Sequence, residues 1–134
     1  MSEIKKIKKV ETPQAPEAKG PYSQAVRAGD FLFISGQIPL CPLNGEIKGV
    51  TIQEQTRQVL ENIQAILISE KLSLSHVVKS EIFLKDMHHF QEMNIIYAQF
   101  FSSPILPARH TVQVAKLPFD ALIEISCTAF FDSL

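Results

Sequence analysis

PARHTVQVAKLPFDALIEISCTAFF, residues 107–131, is the stretch on which the reading of this chain turns. Between Pro107 and Pro118, Arg109, Thr111 and Gln113 alternate with Val112 and Val114. From Leu122 onward, Ile123, Ile125, Cys127, Ala129 and Phe131 alternate with Leu122, Glu124, Ser126 and Thr128. A period of two marks half-buried strands, because successive side chains leave a strand on opposite faces. With a two-residue loop at Pro118-Phe119 the strands would form a hairpin, with Glu124 opposite Gln113. If both apolar sets meet one core, Arg109 and Glu124 share the other face, on the order of 13 Å apart along the strand. Such a gap suits a small ligand better than an ion pair.

Upstream, the pattern continues as strands and two helices. Ser23–Ala28 and Phe31–Gln37 read as strands joined by the tight turn Gly29-Asp30. The run Phe31-Leu32-Phe33-Ile34 predicts a strand buried on both faces. Gly36, at its end, allows close approach of a ligand or another backbone. Pro39, Pro42 and Asn44-Gly45 make residues 38–50 a loop. Thr51 and Glu54 have capping-box spacing for a first helix carrying Ile52, Val59, Leu60, Ile63, Ile66 and Leu67 on one stripe. Val77–Leu84 is the next strand, with Val78, Ile82 and Leu84 on one face. Asp86 caps a second helix through Phe101, its buried face lined by Phe90, Tyr97, Phe100 and Phe101. The predicted architecture is α+β, a single domain over residues 1–134, with a mixed sheet and both helices on one face. Its other face, half polar, suits packing against copies of the same chain.

Composition narrows the function classes. Thirteen basic and fourteen acidic residues give a net charge of −1, so no basic face is implied and nucleic acid is not a favoured partner. Two lone cysteines, Cys41 and Cys127, read as reduced thiols of a cytoplasmic protein. Lysines 5, 6, 8 and 9 around Ile4, Ile7 and Val10 lack the apolar run of a secretory signal and read as a guarded edge strand. No segment approaches membrane-spanning length, so no membrane role is expected.

Two side chains stand out for chemistry. Arg109 opens its strand after a proline-broken loop, and a guanidinium offers a planar fork of donors for a carboxylate. Glu124 is a carboxylate able to handle a proton or orient a water. Asn94 interrupts the apolar face between Phe90 and Tyr97, either as a satisfied buried amide or as a pocket hydrogen-bonding group. The histidines 76, 88, 89 and 110 have no ligand-like spacing, so no metal is expected, and no glycine loop would cradle phosphate.

These residues are set among an ordered series of short runs: GPYSQA at 20–25, SGQIP at 35–39, Gln55-Thr56, Asn62-Ile63, Val77-Val78-Lys79, NIIYAQFF at 94–101, Pro107-Ala108-Arg109, VAKLP at 114–118 and Ile123-Glu124-Ile125. In that series the chain resembles the reactive-intermediate deaminase family, also called YjgF/YER057c/UK114. The resemblance implies a chorismate-mutase-like homotrimer with its sites between subunits. It implies cofactor-free hydrolysis of 2-aminoacrylate-type enamines and their imine tautomers to 2-keto acids and ammonia. By motif position, Arg109 would hold the substrate carboxylate and Glu124 would activate water. Tyr22, Ser35, Gly36, Asn94 and Thr111 would bind substrate, with Asn94 coming from a neighbouring subunit. Thr111 stands where the family often has cysteine, so no thiol nucleophile is available there. The rival expectation is a trimeric module that binds small acids and regulates a partner without catalysis.

Overall fold

The computed structural model describes residues 6–132. Its six-stranded sheet has the order β1-β2-β3-β6-β4-β5, formed by β1 (Ile7–Val10), β2 (Ala25–Ala28), β3 (Phe31–Gln37), β4 (Val77–Leu84), β5 (Ala108–Gln113) and β6 (Ile123–Phe130). All pairings are antiparallel except β4 with β5, so the sheet is mixed. Helices α1 (Ile52–Ser69) and α2 (Phe90–Phe100) pack on one face, with α1 over β3 and β6 and against α2. The expected α+β architecture is therefore present. β1 lies at the sheet edge with Lys8 and Lys9 exposed, while Ile4 and Lys5 of the predicted strand lie outside the described residues.

Local sequence explains the helices. Thr51 accepts from the Glu54 N–H and Glu54 returns a bond to the Thr51 N–H, completing the capping box. Val59, Leu60, Ile63, Ile66 and Leu67 are fully buried against the sheet. Asp86 caps a short 3₁₀ turn, Met87–His89, from which α2 starts. On α2, the buried residues are Met93, Ile96 and Tyr97, with Phe101 just beyond its end; Phe90 and Phe100 only flank the core.

Three register expectations are corrected. The last two strands do not form a hairpin, because β4 lies between them. Arg109 is level with Ser80 of β4, which is level with Cys127 of β6; Glu124 is level with Phe83. Side chains of paired residues leave on the same face. Arg109, Thr111 and Gln113 thus share the helix-covered face with Ser80 and Ile82, while Glu124 lies on the opposite face with Phe83 and Val112. Alternation alone could not reveal this, since it fixes the two sets in each strand but not which strand is the neighbour. The connector also differs from a two-residue loop: Pro118–Asp120 makes a 3₁₀ turn that carries the chain past β4.

The second correction concerns β3. Leu32 and Ile34 are buried, but Phe31 and Phe33 are 41% and 48% exposed, so only one face is covered in the single chain. With Phe130, whose ring centroid is 5.4 Å from that of Phe31, they form an aromatic patch on the sheet face away from the helices. Third, a register shift between Val77 and Lys79 turns Val77 into the core and leaves Val78 exposed.

Candidate functional site

One half of the site is built around Glu124. A shift in the β3–β6 register between Ile34 and Gln37 places Gly36 against the Glu124 side chain. A Cβ at Gly36 would stand 2.8 Å from Glu124 Cδ and nearer still to Oε2, so only glycine leaves the carboxylate where it is. The Glu124 side chain is half-buried and makes no hydrogen bond or ion pair among the described residues. Burial holds its carboxyl above the ordinary carboxylate value. It borders a cavity of about 620 Å³ whose wall includes Tyr22, Gly36, Gln37, Leu43 and Phe119. Tyr22 is exposed at this cavity, on the connector before β2. That connector is held by Gln24, buried, whose side chain accepts from the Thr12 N–H at 2.7 Å and donates to the carbonyls of Thr12, Ala15 and Pro16. The Ser35 hydroxyl donates to the Ser23 carbonyl at 2.6 Å and so ties β3 to the same connector; Ser35 is not part of the cavity wall. Replacing Gly36 by alanine is expected to displace the carboxylate while leaving the melting temperature nearly unchanged, since the clash is with the movable end of a side chain, and if the site is catalytic to lower its activity about tenfold. Parallel activity and thermal melts check this.

The other half is built around Arg109. Its Nη1 donates to Asn94 Oδ1 at 2.8 Å, and its guanidinium carbon sits 4.9 Å from the Tyr97 ring centroid and 5.7 Å from that of Phe90. The spacing of Phe90, Asn94 and Tyr97 on α2 sets all three along one strip, which resolves the question of Asn94: it is half-buried and holds the arginine. Tyr97 is itself fixed, its hydroxyl 2.6 Å from Ser80 Oγ in a buried hydrogen bond and its ring stacked on Phe101 at 4.4 Å. Tyr97 is buried in the core and Phe90 flanks it, as their apolar helix face predicts, and their i+3 and i−4 spacing from Asn94 also makes them a cation–π platform for the arginine. No carboxylate pairs with Arg109 among the described residues, so most of its N–H donors are left for another acceptor. Thr111 follows on the same face of the edge strand β5, with its Oγ1 buried and without a partner among the described residues.

The two halves do not meet within a chain. Arg109 and Glu124 lie on opposite faces of the sheet, two strands apart and offset by three residues. A nucleophilic thiol is not part of either half: Cys127 is buried in the core, which pushes its thiol up to about 12, and Cys41 lies in the 38–50 loop. Among the described residues no three His, Cys, Asp or Glu side chains gather as a metal site. No helix of the described residues is long and apolar enough to cross a membrane.

A family model described as Endoribonuclease L-PSP matches residues 12–131. The chain belongs to this family. It is the YjgF/RidA family of the sequence resemblance, and its members carry different functional names. The RutC family protein PH0854 of Pyrococcus horikoshii is 53% identical over 119 residues, covering 89% of this chain and 94% of that protein. The protein of Escherichia coli K12 named "Putative reactive intermediate deaminase TdcF" is 44% identical over 128 residues, covering 94% of this chain and 97% of that one. A crystal structure of E. coli TdcF with bound serine superposes with a TM-score of 0.89 at 42% identity, covering 93% of this chain and 99% of that chain. Family membership thus accounts for the fold, and the residue arrangement decides which chemistry is available.

Proposed function

We propose that this chain hydrolyses 2-aminoacrylate-type enamines, through their 2-imino acid tautomers, to 2-keto acids and ammonia. It does so as a homotrimer whose sites lie between subunits, without a cofactor. The observation that carries this reading is the division of the site. One face presents a fixed guanidinium without a carboxylate, and the other presents a desolvated carboxylate without a cation. Each is what a small anionic electrophile and a water would need, and a second copy of the chain brings the two together. The exposed aromatic patch of Phe31, Phe33 and Phe130 gives that second copy an apolar surface to cover. The name of TdcF and the serine bound in its crystal structure support an amino-acid-sized ligand in this family.

The chemistry follows from the two groups. Arg109, steadied by Asn94 and the Tyr97 ring, grips the substrate carboxylate through charge-assisted bonds. The backbone N–H of Thr111 or Gly36 adds a donor, and Tyr22 closes the wall of the cleft. Glu124 accepts a proton from water as its oxygen adds to the imine carbon. It returns that proton to the nitrogen, giving a neutral carbinolamine, then takes up the new hydroxyl's proton and passes it to the amine nitrogen as the C–N bond breaks, so that ammonia leaves and the carbon becomes the keto-acid carbonyl. The imine is already an activated electrophile, so holding the water and the carboxylate in place supplies most of what is required. In the test, 2-aminoacrylate is generated from serine by a pyridoxal-phosphate dehydratase and pyruvate formation is followed. Added protein should accelerate release well above the spontaneous rate. Equal rates with the native chain and with Arg109→Ala would sink the assignment.

A further inference from the structure

The connector into β6 holds a backbone conformation that its own residue types disfavour. Phe119 and Asp120 both have left-handed backbones, with φ of 59° and 55°, and neither is glycine. A Cβ makes this region unfavourable, and a bulky residue enters it only when its surroundings fix it there. Here they do. Asp120 N–H donates to the Leu117 carbonyl at 3.2 Å and Ala121 N–H to the Pro118 carbonyl at 3.1 Å. Lys85 Nζ binds Asp120 Oδ1 at 2.8 Å, and Ala121 is completely buried. The ring so positioned gains no core burial, since Phe119 is 67% exposed. What it does is line the same cavity as Glu124, together with Pro118 and the apolar side chains of Leu40, Pro42 and Leu43.

The apolar part of this wall continues on the loop side of the cavity. There Phe119, Leu40, Pro42 and Leu43 offer no side-chain hydrogen bonds, while polar groups such as Lys19, Gln37 and Asn44 line the cavity elsewhere. We infer that Phe119 is the specificity-determining wall of the site, and that it selects 2-imino acids with branched or aromatic side chains over the three-carbon one. This rests on the hydrolytic reading above, and the experiment separates the two.

Imines of leucine and alanine, made in place by an amino-acid oxidase, are offered to the native chain, Phe119→Asn and Phe119→Leu. Asparagine tolerates the left-handed backbone, so the turn is kept while the wall is removed. The native chain should prefer the leucine-derived imine. Phe119→Asn should lose about ten- to a hundredfold of kcat/KM on it, collapsing the ratio between the two imines. Phe119→Leu should retain most of the preference. Calorimetry with 4-methyl-2-oxopentanoate and pyruvate supplies a readout that needs no turnover. Preferential binding of the larger acid, lost in Phe119→Asn, upholds the wall even if neither imine is hydrolysed, in which case the hydrolytic reading alone fails. A preference ratio that is the same in native and Phe119→Asn proteins, or a native chain favouring the three-carbon compound, overturns the wall. So does an effect of Phe119→Asn confined to sedimentation, which would make the ring an interface contact, or native protein that neither turns over nor binds either compound.

Discussion

Arg109→Ala is expected to lower kcat/KM for 2-iminopropanoate by about 10²–10⁴. On the proposed reading two charge-assisted hydrogen bonds to the substrate carboxylate would be lost, each worth ~1.5–3 kcal/mol, and every 1.4 kcal/mol is tenfold. Arg109→Lys should fall between, at about ten- to a hundredfold, because an ammonium keeps the charge but cannot reproduce the planar fork. The lysine also cannot lie flat over Tyr97 at 4.9 Å while donating to Asn94 Oδ1, so its charge will be less well placed. The loss should be read mainly in KM if the carboxylate contact is equal in ground and transition states. Folding should be little affected, as Arg109 is half-buried on an edge strand and pairs with no carboxylate among the described residues. Steady-state kinetics beside a thermal melt distinguish a binding loss from an unfolded protein. Near-native kcat/KM in Arg109→Lys would show that a point charge suffices and that the fork is not what the site uses.

The parts of this molecule that were legible in its sequence are those set by short-range rules. The α1 cap at Thr51 and Glu54 and the buried stripe from Ile52 to Leu67 follow from helical spacing and reciprocal hydrogen bonds. The alternation in β6 is equally local: Ile123, Ile125, Cys127 and Ala129 are buried and the residues between them are not. What the sequence could not carry was strand adjacency. β4 enters between β5 and β6 because the connector at Pro118–Asp120 crosses it, and a left-handed phenylalanine gives no propensity signal for that path. This single topological fact moves Arg109 to the other face from Glu124. The exposure of Phe31 and Phe33 has a related origin: a continuous apolar run does not say whether its second face is covered by the same chain or by another. Arg109 and Glu124 were singled out by residue type and position alone, whereas the Tyr97–Ser80 bond beneath the arginine needed the fold to be seen.

Glu124→Gln tests the other half of the site, and its expected loss of kcat is about 10²–10⁴, the range of general acid–base help. Glutamine keeps the shape beside Gly36 and the water's hydrogen bond but cannot accept a proton. Keto-acid binding should therefore persist in this variant, which a purely sensing module would share; turnover should not. The pH profile sharpens the assignment. In the proposed mechanism Glu124 acts as the carboxylate, and burial raises its carboxyl above the ordinary value of 4.5, so the protonated form persists to higher pH than it would for an exposed glutamate. Activity of the native chain should fall as pH drops through that raised value, and this acid limb should be missing from the residual rate of Glu124→Gln. Mixing then addresses the division of the site. If each site takes Arg109 from one subunit and Glu124 from its neighbour, inactive Arg109→Ala and Glu124→Gln chains, dissociated together and reassembled, will form intact sites. Random assembly in equal amounts should restore roughly a quarter of them, since each partner has an even chance of being the chain that retains the needed residue. Both residues serving one site within a single chain would give no recovery at all, an outcome the opposite sheet faces of Arg109 and Glu124 argue against.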